Sequence, residues 1–161
     1  MRASLKPLAF VAALAIAAGT AYADDEVRKS YTDAELIEIL KNDGYRAVEQ
    51  VEDRVLSIRI DGYTHYLYIY DDDDLQLYFG LTGYDVNADD MNEWNRTKRL
   101  SRAYIDDVND PVLEADLLAN AGYTVKQLSE WISVFDTSAR EFHVFVDSKD
   151  RSGADLDASN R

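Results

Sequence analysis

The chain has 161 residues, 31 acidic against 17 basic, a formal net charge of -14 and no cysteine. Its length calls for one domain, and the missing cysteine excludes disulfide frameworks, thiolate metal sites and cysteine nucleophiles. So acidic a chain is repelled by nucleic-acid backbones and anionic lipid surfaces, which argues against both as partners.

Residues 1–23 read as a secretory signal peptide. Arg2 and Lys6 precede an apolar run from Leu8 to Ala18, and Ala21-Tyr22-Ala23 forms a small-x-small cleavage site ahead of Asp24. The apolar run is short of the roughly 20 residues a spanning helix needs. Cleavage after Ala23 is expected to release a periplasmic or secreted protein with no stable membrane insertion. That product should be a single domain over residues 24–146 followed by a disordered acidic and polar tail over residues 147–161, where hydrophobic periodicity stops.

The domain opens with a helix start at Thr32, which caps while Glu35 reaches back in a capping box and Tyr31 staples onto Leu36. This helix is expected to turn Leu36, Ile37 and Leu40 inward and to stop at Gly44. The pattern then changes to period two over Tyr45–Val51, Val55–Ile60, Tyr63–Tyr70 and Leu75–Leu81, giving four strands. Asp61-Gly62 is a two-residue hairpin signal that sets Ile60 opposite Tyr63, Ile58 opposite His65 and Leu56 opposite Leu67. Register then assigns Leu56, Ile58, Ile60, Leu67 and Ile69 to an apolar face, and Ser57, Arg59, Thr64, Tyr66, Tyr68 and Tyr70 to the other. Leu75, Leu77 and Phe79 on the apolar face would send Tyr78 to join the tyrosines.

Asn87, followed by Asp89, Asp90 and Met91, marks a second helix carrying Trp94 and Asn95 and ending at Lys98-Arg99. A second hairpin follows, Leu100–Asp106 and Pro111–Leu118, with Arg102, Tyr104, Glu114 and Asp116 on one face. Thr124 and Gln127 cap a third helix whose stripe of Val125, Leu128, Ile132, Phe135, Ala139 and Phe142 recurs at three and four residues. The order α-β-β-β-β-α-β-β-α points to an α+β fold, an antiparallel β-sheet with helices packed mainly on one face.

Few residues speak for chemistry. His65 and His143 are the only histidines, one on the apolar face of a strand and one late in a helix, in no metal-ligand spacing. No serine lies in a Gly-x-Ser-x-Gly elbow, and no glycine-rich phosphate loop follows a strand, so neither a catalytic residue nor a cofactor is expected. Asp71 to Asp74 lacks the spacing, central glycine and closing glutamate of a calcium loop, and Asp106 to Asp110 suits an Asx turn. The feature that stands out is the row of Tyr66, Tyr68, Tyr70 and Tyr78, whose rings offer apolar bodies with polar tips, the composition of a binding surface.

The segment Met91-Asn92-Glu93-Trp94-Asn95-Arg96-Thr97-Lys98-Arg99-Leu100-Ser101-Arg102-Ala103-Tyr104, with Asp110 to Asp116 after it, resembles the signature of the YbjN-domain family. The resemblance runs from about Tyr31 to Phe145 and implies a fold like that of type III secretion chaperones. It further implies a sensory-transduction regulator, small, acidic and homodimeric, that binds protein segments. On this reading Trp94, Asn95, Arg99, Arg102 and Asp116 carry the family motif and act mainly in structure. The resemblance also implies a cysteine pair, in exported relatives, at the hairpin that Asp71 to Asp74 occupies here. The resulting expectation is a non-enzymatic, exported module presenting a tyrosine-rich sheet face or edge to a protein or peptide. The alternative is a small-molecule or cation-binding protein, or a hydrolase, built on the acidic loops.

Overall fold

The computed structural model describes residues 26–152. The expected signal peptide, residues 1–23, lies outside the described residues, as do residues 153–161 of the expected tail. Helix α1 (Asp33–Asn42) starts on Thr32 with both halves of its capping box in place, Glu35 N–H donating to Thr32 Oγ1 and Thr32 N–H to Glu35 Oε2. It buries Leu36, Ile39 and Leu40. Ile37, expected inward, is only half-buried, because the true stripe runs through Ile39 one turn below Leu36 and Gly44 then turns the chain at a φ of +100°.

Strands β1 (Ala47–Glu52), β2 (Val55–Ile60), β3 (Tyr63–Ile69) and β4 (Leu75–Gly80) follow as a meander. The β2 to β3 register is the one the Asp-Gly turn implies: Ile60 faces Tyr63, Ile58 faces His65 and Leu56 faces Leu67. Helix α2 (Ala88–Thr97) is capped by Asn87, which also forms a full capping box with Asp90. Strands β5 (Arg102–Ile105) and β6 (Pro111–Leu117) form the second hairpin, and α3 (Val125–Lys149) closes the domain.

The six strands make one antiparallel sheet in the order β1-β2-β3-β4-β6-β5. The second strand of the second hairpin is therefore the inner one, and short β5 is left at the edge. A single core forms on one face, where Leu56, Ile58, Leu67, Leu77, Phe79 and Leu113 meet the apolar stripes of α1 and α3. Helix α2 lies against β5 and α3, with Trp94 packed edge-on to Phe142 at 5.1 Å and tilted on Phe145 at 5.5 Å.

The tail boundary needs correction. Helix α3 runs beyond Asp147 to Lys149 with Val146 fully buried, and Asp150 to Ser152 are also placed. Arg151 donates to Asp90 Oδ2 at 2.6 Å and to the Asp85 carbonyl at 3.1 Å, while Asp85 N–H donates to Asp150 Oδ1 at 2.8 Å. Burial pushes the Asp90 carboxyl up, but Arg151 and the Asn87 amide outweigh it and hold the carboxyl below its ordinary range. These polar clasps leave no mark in hydrophobic periodicity.

Candidate protein-interaction face

The face of the sheet turned away from the core is built by strand alternation. Cross-strand pairing aligns Glu49, Ser57, Tyr66, Tyr78, Glu114 and Arg102 in one row across six strands. The adjoining row runs Glu52, Val55, Tyr68, Gln76 and Asp116. Tyr66, Tyr68 and Tyr78 touch one another, with ring centroids 6.3, 6.3 and 6.1 Å apart. All three are half-buried, and among the described residues no helix covers them. Gly80 makes room for this cluster: a Cβ there would lie 3.0 Å from Tyr78 Oη, so the ring folds flat along its own strand.

Tyr70 stands apart. It follows the last residue of β3, is 48% exposed, and donates through Oη to Gln76 Oε1 at 2.9 Å rather than touching the other rings. Gln76 in turn donates to Asp116 Oδ1 at 2.9 Å. Burial raises the phenol pKa of Tyr68, Tyr70 and Tyr78, and nearby charges such as Glu114 add to it, so all three stay neutral across the physiological range.

Beside the tyrosines sits an acid that alternation alone leaves on the solvent side. Glu114 is 6% exposed; it accepts from Tyr104 Oη at 2.5 Å and pairs with Arg102 on the neighbouring strand. Burial, then the hydrogen bond to Glu114, raises the Tyr104 phenol well above its ordinary range. Val112, two residues earlier on the same face and opposite Tyr104, is fully buried as well. β6 is thus buried on both faces, which its mixed sequence did not announce.

The motif residues fall into place around this corner. Asn95 ties α2 to the outer edge of β5, accepting from Ala103 N–H at 2.8 Å and donating to the Ala103 carbonyl at 2.9 Å. One side chain thereby satisfies a backbone donor and acceptor that an edge strand would leave open. Trp94 is 1% exposed and donates through Nε1 to Ser101 Oγ at 3.2 Å. Arg102 engages Glu114 and leaves Asp116 to Gln76, while Arg99 is exposed.

Acids of both loops are engaged within the fold. Asp74 Oδ1 accepts from Ala119 N–H at 2.6 Å, Asp73 pairs with Arg54 at 3.1 Å, and Asp106 Oδ1 accepts from the amides of Val108 and Asp110. Among the described residues no group of three histidines and carboxylates is disposed to hold a metal ion. No helix among them is long and apolar enough to cross a membrane.

Comparison with known proteins now decides the family, since residues 32–147 match the YbjN domain, described as "Putative bacterial sensory transduction regulator". The chain belongs to the YbjN family. Among solved structures, a chain of the ExoT-SpcS complex from Pseudomonas aeruginosa is similar at a TM-score of 0.51 and 18% identity, covering 65% of this chain and 91% of that one. A chain from the structure of the Yersinia pestis type III secretion chaperone SycH with a stable fragment of YscM2 is also similar, at 0.47 and 18%, covering 65% and 92%. No curated protein matches. The α+β class and the order of elements are those expected, and the fold is shared with the chain of the ExoT-SpcS complex.

Proposed function

We propose that this YbjN domain is an exported, non-enzymatic binding module that receives a polypeptide segment on its open sheet face. The observation that carries the reading is the contact cluster of Tyr66, Tyr68 and Tyr78 on a face that no helix among the described residues covers. Rings already packed against one another lose little freedom on binding, and their hydroxyls can meet a partner's backbone. Glu49, Glu52 and Asp116 rim the cluster, so a complementary segment carries apolar residues flanked by lysine or arginine. The occurrence of this fold in a two-protein complex, that of ExoT and SpcS, supports a protein partner.

The test is capture from the exported fraction, read by native mass spectrometry, with the Tyr66→Ser/Tyr68→Ser double variant alongside. Wild type is expected as residues 24–161, homodimeric, and carrying a polypeptide. The double variant should lose that polypeptide by about 2 kcal/mol or more of binding free energy while keeping its unfolding midpoint, as central interface tyrosines do. Capture unchanged in the double variant would remove the open face from the proposal.

A further inference from the structure

On the opposite face of the sheet, between the β2-β3 turn and α3, lies a partly enclosed cavity of about 230 Å³. Its lining is mostly apolar, yet among the described residues one buried polar atom in it, Asp136 Oδ1, has no partner. His65 is 4% exposed and stacks on Phe79 at 4.7 Å, and its ring makes no hydrogen bond among the described residues. Asp136, from α3, has its Oδ2 bound to Arg140 at 2.5 Å, while its Oδ1 is buried with no partner among the described residues. A buried carboxylate oxygen left without a donor is costly and rare, and points to a group that completes it.

Charge narrows what that group is. Asp61 and Asp136 face a single guanidinium, Arg140, which lies 3.1 Å from Asp61 Oδ2 and is itself 59% exposed. Within the cavity's own lining two carboxylates thus face one guanidinium, while Asp61 is 65% exposed and Arg46 and Arg59 line the adjoining groove. Burial pushes the Asp136 carboxyl above its ordinary range, with Asp61 adding to the rise and Arg140 opposing it. The cavity is smaller than the roughly 300–1,000 Å³ of sites for drug-sized molecules, so its occupant is one ring or a short chain.

We infer that this cavity binds a primary ammonium on a small apolar body, the ammonium at Asp136 and Asp61 and the body against Phe79 and His65. A free amine and the side chain of a partner's lysine share that chemistry. The site is separate from the tyrosine face, because His65 and Tyr66 point to opposite sides of β3, so either proposal can fail without the other.

Calorimetric titration of the full chain with benzylamine, benzyl alcohol and Nα-acetyl-lysine amide tests the inference. Benzylamine is expected to bind saturably with a Kd below about 10 mM. Benzyl alcohol should bind at least about tenfold more weakly, the worth of one charge-assisted hydrogen bond. Tighter binding of the lysine derivative than of benzylamine would assign the site to a protein side chain, and the reverse order to a free amine. Asp136→Asn should weaken benzylamine by about tenfold, and Arg140→Gln should tighten it by removing the competing cation. A purely structural role for these residues predicts no such opposite pair. Absence of saturable benzylamine binding, parity with benzyl alcohol, or no tightening in Arg140→Gln would overturn the inference and leave the cavity to water.

Discussion

His65 makes a quantitative prediction about stability and pH. Burial, and then the Arg140 guanidinium, hold its imidazole down to about 4 from an ordinary 6.5, with Asp61 acting in the opposite sense. Because the folded value is depressed, the unfolded chain binds more protons between the two values, and stability rises with pH across that window. At neutral pH the imidazole is uncharged in both states and contributes nothing. Acidification to about pH 5 is expected to cost about 2 kcal/mol through this group, levelling near 3 kcal/mol below about pH 4. The assay is urea unfolding of wild type and His65→Gln at neutral pH and at two or three acid values. Subtracting one protein from the other cancels the titration of the carboxylates both share. Wild type should lose more stability than His65→Gln as pH falls. A difference constant to within about 0.5 kcal/mol over that range would refute the argument, because it would mean that His65 can be charged inside the fold.

Other residues give sharper local tests. Trp94→Ala removes a ring that is 1% exposed and wedged against Phe142 and Phe145, and should cost about 3–5 kcal/mol by denaturant unfolding. Asn95→Ala strands the Ala103 amide and carbonyl; the expected loss is about 1–3 kcal/mol, with Ala103 losing hydrogen-exchange protection ahead of the central strands. Gly80→Ala should change stability by less than about 1 kcal/mol, since only the far end of Tyr78 must move, but should shift that ring's magnetic resonance signals and weaken capture on the open face. Unaltered Tyr78 signals would show that the ring does not lie over Gly80.

Much of the architecture is written locally. Capping boxes need only a side chain and a backbone amide three residues apart, so Thr32, Asn87 and Thr124 mark the three helix starts without help from the rest of the chain. A two-residue turn at Asp61-Gly62 propagates its register along both strands, and period-two alternation carries it to Tyr78 on β4. The YbjN resemblance was legible in the same way, as residues contiguous in sequence around Trp94 and Asn95.

Tertiary structure alone decided three things, each because it joins groups distant along the chain. It set the second hairpin with β6 inside and β5 at the edge, since only packing can tell that Glu114 will be buried under Arg102 and Tyr104. It held Arg54 at a φ of +58°, an unusual conformation for arginine, by bonds to Asp33, Ile69 and Asp73 that no turn rule foresees. It also brought His65, Asp61 and Asp136 around one cavity, where strand alternation had placed only the histidine on the core side. Short-range chemistry therefore determined the elements and their faces, while long-range packing determined which polar groups were buried together and which were left without partners.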